Sequence, residues 1–416
     1  MALTQRTPRN RSARAVSNDR AIRDAAIAEI LRVGVDHLSL RDVGHRAGLT
    51  HGATYARYEN VDELLVDLWH SNLRECALSM FEVSMKSAYE PDAQSVRAVV
   101  DLVRDATPAH AAAIHLLLTA RRIPTLHEEV APFIEEYLMK EDCRSVNAEP
   151  RFTRGLTVLA VVLAKVIATY HFEVNHDGLE LVEGILLESL TSDPTHVKRI
   201  APSEARSPFA RSPDGDLRSM LANSTFQVVG HDGYTNATMS RIARRANCSP
   251  GSIYTLFSSK EDLVVTSYLS AMQPRWTRIA EFVSILDEGV LSQYLYDIST
   301  PINSVYRDFV LEFALAASFS PEMKGAFRIK MTDLTSVLPS LAETAEREKN
   351  LLTHMIRLLL HLNLGVTFLS AITGTFECNN FSQFTEPFRQ AILNRARPSW
   401  SQLCRQLLWF NESRNA

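Results

Sequence analysis

Apolar residues recur at helical spacing along almost the whole chain. Ile22, Ala26, Ile30 and Val33 form one stripe. Leu221, Thr225 and Val229 form a weaker one, displaced by 199 positions from the first three. Spacings of three and four place such residues on one face of a helix. No segment alternates convincingly with period two, and glycine is sparse, so the expected fold class is all-α. The longest apolar runs, Gly155 to Phe172, Leu179 to Leu190, Leu351 to Phe376 and Phe384 to Leu408, predict bundle helices. Leu358 to Phe376 carries no charge and is long enough to suggest a membrane span. Its His361, Asn363, threonines and two glycines fit a buried helix better.

Within this helical text one local grammar occurs twice. From Ser39, a cap residue with Asp42 three positions on precedes Leu40, Val43 and Ala47, which give a short helix one apolar face. Gly48 can adopt the left-handed conformation that ends it, Thr50 can cap the next helix, and Asn60 with Glu63 can cap a third. The second passage has Met239, Ile242 and Ala246 as its stripe, Asn247 in place of Gly48, Ser249 as cap, and Ser259 with Asp262 opening the third helix. Asparagine is among the residues best able to replace glycine at a positive φ. Gly52 and Gly251, Tyr55 and Tyr254, and Leu64 and Leu263 share the same 199-residue offset. Two short helices around a tight turn make a helix-turn-helix, whose second helix can offer N-terminal side chains to a major groove. Tyr58 and Phe257, one turn past those tyrosines, read as core.

Between Thr191 and Asp216 four prolines, with serines and arginines, exclude a helix or a core segment. That stretch reads as a linker between two units of roughly 200 residues, the length expected of a duplication. RRIPTLHEEV from Arg121 matches SFSPEMKGAF from Ser318 more loosely, with Leu126 opposite Met323. The expected division is a basic arm (1–17), a first head (18–70), a first body (71–192), the linker (193–216), a second head (217–268) and a second body (269–416).

The overall charge of −4 does not suggest a nucleic-acid partner, but its distribution does. Arg241, Arg244, Arg245 and Lys260 stand without a carboxylate between Thr238 and Lys260; Arg41, Arg46 and Arg57 face Asp42 alone between His37 and Tyr58. The Arg-rich start lacks the apolar core of a signal peptide and has no amphipathic face for a transit peptide. Cys76, Cys143, Cys248, Cys378 and Cys404 are scattered without a CxxC pair, which suits a reducing cytoplasm.

GYTNATMSRIARRANCSPGSIYTLFSSKEDL, from Gly233, resembles the DNA-binding region of the tetracycline-repressor (TetR) family of bacterial regulators. GVDHLSLRDVGHRAGLTHGATYARYENVDEL, from Gly34, is a more divergent match. The resemblance implies helix-turn-helix heads on helical effector-binding and dimerisation bodies, with repression relieved by a small ligand. By position it assigns phosphate contacts to Tyr55, Tyr254 and Lys260, helped by Ser39 and Thr238. Arg41, His51 and Ala53 would face bases in the first head and Ser240, Pro250 and Ser252 in the second. Thr50, Arg241 and Ser249 complete the DNA-facing set. The family's usual lysine is replaced by Val61 in the first copy, among Glu59, Asp62 and Glu63, which weakens that head. Family members normally dimerise on palindromes. Two unlike heads in one chain imply a monomeric pseudo-dimer, paired through its late helices, on non-palindromic double-stranded operator DNA, with a further dimer left open.

An enzyme is disfavoured: no GxSxG, phosphate loop or dinucleotide fingerprint is present. The histidine pairs 110/115, 171/176 and 354/361 lack metal-ligand spacing, so neither metal nor cofactor is expected. An apolar or aromatic effector is expected, with Phe133, Tyr137, Phe152 and Tyr170, or Tyr306, Phe309, Phe313 and Phe327, as candidate pocket residues; core packing accounts for each equally well. The competing reading is a ligand sensor or protein-binding module with one or both heads no longer binding DNA.

Overall fold

The computed structural model describes residues 13–141, 148–172, 178–193, 216–327, 346–374, 376 and 380–395. Every regular element among them is helical, as the apolar spacing predicts. The first run comprises α1 (Ala13–Val33), α2 (Leu40–Arg46), α3 (His51–Tyr55), α4 (Val61–Leu68), α5 (Arg74–Tyr89), α6 (Ala93–Arg104), α7 (Pro108–Thr119), α8 (Pro124–Phe133), α9 (Pro150–Phe172) and α10 (Leu179–Thr191). The second comprises α11 (Leu217–Asp232), α12 (Met239–Arg245), α13 (Pro250–Tyr254), α14 (Lys260–Ile285), α15 (Glu288–Ser299), α16 (Ser304–Ala316), α17 (321–327), α18 (Glu346–Thr373) and α19 (Ser382–Leu393).

Both early stripes are buried as expected: Ile22, Ala26 and Ile30 in α1, and Leu221, Thr225 and Val229 in α11. They pack against α7 and α16 respectively, so each head rests on a helix of the same run. Pro124 and Pro321 each open a helix, where a missing amide proton costs nothing, and Leu126 and Met323 behind them are fully buried. Most of the expected linker, 194–215, lies outside the described residues, as do residues 1–12 of the basic arm. Residues 13–17 belong to α1, not to an arm.

The heads join their bodies differently. From α4 the chain passes through a π-helical turn, Trp69–Leu73, into α5. By contrast, α14 runs unbroken from the head to Ile285, so the boundary expected at residue 268 falls inside one helix. Between the two runs, α9 packs along α18 and α10 against α19. Two helices have the length and hydropathy of membrane spans, Pro150–His171 and Asn350–Thr373, but 83% and 94% of their apolar windows is buried inside the protein. They are the centre of the bundle. Gly365 permits this closeness: a Cβ there would stand 2.7 Å from the Cα of Ala160.

Candidate DNA-contact surface and the pocket between the halves

The two helix-turn-helix passages close their turns in the same way. Gly48 has φ +68° and Asn247 φ +54°, and each is followed by a backbone bond from the next amide, Leu49 N to Gly44 O and Cys248 N to Ala243 O. The asparagine thus does the work of the glycine. Caps follow the same logic. Ser39 Oγ accepts from the Asp42 amide, Thr238 Oγ1 from Arg241, Asn60 Oδ1 from Glu63 and Ser259 Oγ from Asp262. The carboxylates answer one residue before the cap: Glu63 accepts from the Glu59 amide and Asp262 from that of Ser258. One expected cap differs. Ser249 accepts from the Ser252 amide, whereas Thr50 makes no side-chain cap bond.

Most of the expected contact residues lie on the outer face. Tyr55 and Tyr254 are 45% and 59% exposed, large values for aromatic rings one turn into a helix. Tyr58 and Phe257 are buried, and the Tyr58 hydroxyl donates to Asp67. Arg41 and Ser240 are exposed on α2 and α12, as are Thr50, Thr238, Ser249 and Pro250. Ser39, Ala53 and Ser252 are half-buried. His51 takes the first position of α3, as Pro250 does in α13.

Charge separates the two heads more sharply than the sequence suggested. Arg57 is bound to Asp19, and Arg46 shares Glu29 with Arg32, so two cations of the first passage are drawn back toward acids, while exposed Arg41 has no ion pair among the described residues. Both acids lie in α1, outside the window in which the arginines faced Asp42 alone. Glu29 also holds Arg32; burial raises its pKa, but hydrogen bonds from the two guanidiniums outweigh this and leave it below the usual value. In the second head Arg241 pairs with Asp232 at 3.0 Å. Arg244 and Arg245 are exposed, and Arg245 donates to the neutral Gln227. These two arginines, absent from the residues expected to touch DNA, add to the second head's uncompensated charge.

Lys260 is not a simple surface cation. Its Nζ donates to the Tyr234 carbonyl at 3.0 Å and lies 4.1 Å from the centre of that ring. Burial lowers its pKa, with the neighbouring Glu261 opposing. An ammonium has three donors; the carbonyl takes one and the ring lies close to the group, so its capacity for a phosphate is reduced.

The bases of the two heads meet. His37 Nε2 and Thr235 Oγ1 are 3.1 Å apart, and the His37 ring stands edge-on to Phe319. Arg122 binds Asp36, and Arg121 donates to Glu312 of α16 at 2.6 Å. Arg122 Nε lies 3.2 Å from the same Glu312 oxygen but off the hydrogen-bond axis. Burial pushes the Glu312 pKa up, against the pull of both guanidiniums.

A pocket of about 50 Å³ opens between the halves, between α6, α9 and α10 on one side and α18 on the other. None of the eight aromatic residues expected to line an effector site lines it. Tyr268 stacks on Phe313 at 3.7 Å, with Phe327 beyond it, and Phe309 packs against Phe226. Tyr306 donates to the Ala271 carbonyl. In the first half Phe133 meets Trp69 and Tyr137, Phe152 is buried, and Tyr170 donates to the Ala106 carbonyl. Aromatic residues at helical spacing look alike whether they fill a core or face a cavity, and here they fill the core. The lining of this pocket joins α9 to α18, almost 200 residues apart, for which no local signal exists. Among the described residues no cluster of His, Cys, Asp and Glu could hold a metal ion.

The model of the family described as "Bacterial regulatory proteins, tetR family" matches residues 222–266, from early α11 through α12 and α13 into α14. The match supports membership of that family and suggests a DNA-binding transcription regulator with a helix-turn-helix. Regulators of this family are generally not enzymes and often answer to a small-molecule effector. No curated protein matches the chain.

Proposed function

We propose that the chain is a cytoplasmic, sequence-specific transcriptional repressor that brings two unlike helix-turn-helix heads to duplex DNA within one polypeptide. The observation that carries this reading is the recurrence, 199 residues before the matched region, of its caps, left-handed turn residue and exposed tyrosine. On this reading the halves, residues 18–192 and 217–416, form an intramolecular pseudo-dimer through α9, α10, α18 and α19. Tyr254 and Lys260 hold phosphates, which position the protein without reading sequence. Ser240, Pro250 and Ser252 face bases, Arg244 and Arg245 add unpaired charge, and Thr238, Arg241 and Ser249 fix the turn. In the first head Arg41, His51 and Ala53 face bases, while Ser39, Thr50 and Tyr55 support the backbone contact. A small apolar ligand releases the operator.

Selecting duplexes from a random pool and measuring their mobility shift tests this. A selected sequence bound well above random DNA is the expected result; equal binding of all duplexes would defeat it. A second reading, in which only the α13 head binds DNA and the first is an interaction module, is favoured by the ion pairs that hold Arg57 on Asp19 and Arg46 on the Glu29 it shares with Arg32. Mutating each half-site separately distinguishes the two.

A further inference from the structure

The pocket between α9 and α18 is lined by both apolar and polar groups. Val99, Val103, Val158 and Val162 supply apolar lining, while Lys165, His354, Arg357 and His361 supply the polar lining. His361 is 4% exposed, and its Nδ1 lies 2.6 Å from the Arg357 carbonyl oxygen. A carbonyl can only accept, so Nδ1 carries the proton. Nε2 of the neutral ring is then a lone-pair acceptor, and it is buried with no hydrogen-bond partner. Burial, with Lys165 and Arg357 nearby, pushes the His361 pKa down to about 3, so the ring stays neutral at any physiological pH. Arg357 is half-buried, and its guanidinium has no hydrogen bond or ion pair among the described residues.

These groups specify complementary chemistry. A buried acceptor without a donor is costly, and a group that supplies the donor recovers that cost. A guanidinium beside an ammonium favours a carboxylate, through charge-assisted bonds stronger than neutral ones. The valines require the rest of the ligand to be apolar. We propose that this pocket binds a small apolar carboxylic acid bearing a hydroxyl group: the carboxylate on Arg357, the hydroxyl donating to His361 Nε2, the hydrocarbon against the valines. A volume of about 50 Å³ has room for a few waters, so a ring-bearing ligand requires the slot between α6, α10 and α18 to widen. Because α18 comes from the second half, such a ligand touches both halves at once. This site deepens the repressor reading by naming the class of its effector, and as an effector site it rests on that reading.

Calorimetry of the full chain, without DNA, against 3-hydroxybenzoate, 3-hydroxyoctanoate, benzoate and octanoate tests the site. At least one hydroxy acid should bind more tightly than its parent acid. Arg357→Gln should weaken it about tenfold or more, and His361→Leu should abolish the preference for the hydroxyl while leaving the parent acid's affinity nearly unchanged. Val162→Phe, which fills the slot without removing a polar group, should block all four acids, and thermal melts identify any variant that fails to fold. If neither hydroxy acid binds, or if binding survives both Arg357→Gln and Val162→Phe, the proposal is overturned. The repressor reading is tested separately by DNA affinity. Binding in the pocket that leaves DNA affinity unchanged would retain the site and remove its role in release.

Discussion

Replacing Gly365 by alanine isolates what holds the two halves together. Helix propensity alone favours the change, since glycine in a helix interior costs about 1 kcal/mol relative to alanine. Packing opposes it. The new Cβ would stand 2.7 Å from the Cα of Ala160, 0.7 Å short of ordinary contact, and nearer still to its carbonyl group. These are backbone atoms of a long buried helix, so no side chain can swing away. The carbonyl group sets the larger demand, so α9 and α18 must separate by more than an ångström, and a gap of that size forfeits at least half of each dispersion contact across it. Leu163, Ile167, Leu362 and Val366, all buried along these helices, would share the loss. Overpacking typically costs about 1–3 kcal/mol, and a rigid target places this site at the upper end. After the propensity gain, a net destabilisation of about 2 kcal/mol is expected. Urea unfolding followed by circular dichroism measures it. An alanine variant as stable as the parent, or about 1 kcal/mol more stable, would mean that the helices do not cross this closely.

Three further outcomes follow from the ion pairs and buried histidines. Glu312→Gln removes a charge that burial already disfavours, and Arg121 and Arg122 keep Asp308 and Asp36 as partners, so the cost should be only the lost charge-assisted bond less the relieved burial, about 1 kcal/mol; an unfolding midpoint lowered by much more would refute this reading of the contact between the two bodies. Burial holds His361 at about 3 and His171 at about 4, so the unfolded chain takes up protons first as pH falls below about 6.5. Their stabilising contribution is complete above that pH and is lost on acidification, by about 2 kcal/mol per residue between pH 7 and pH 5. His361→Leu should flatten that dependence in a stability–pH series, and an equally steep profile would refute the assignment. Arg244→Gln should lower the slope of DNA affinity against salt by about one unit for each phosphate lost, whereas Arg57→Gln should leave it nearly unchanged because Arg57 already serves Asp19; equal effects would show that the first head is not internally neutralised.

Much of the heads is legible because their determinants are local. Cap and capped amide lie three residues apart, and a positive φ at Gly48 and Asn247 follows from the end of one short helix. Long-range pairing is not legible in the same way. Arg46 and Arg57 look unopposed until Glu29 and Asp19, 17 and 38 positions away, fold against them. Lys260 looks like a surface cation until Tyr234, 26 positions earlier, curls over it. Thr50 occupies a cap position without making the bond, because residue type sets only the opportunity. The pocket is the extreme case: His361 and Val162 each read as bundle interior, and only the crossing of α9 with α18 turns them into one site.

Native mass spectrometry of the protein on its selected duplex, paired with footprints of each half-site mutant, shows whether one chain presents two unlike heads to one site. One chain should occupy each duplex, with two dissimilar half-sites about one helical turn (~34 Å) apart, and mutation of the half under α13 should cost more affinity than mutation of the half under α3. Two chains on a perfect palindrome, losing equal affinity from either side, would contradict it.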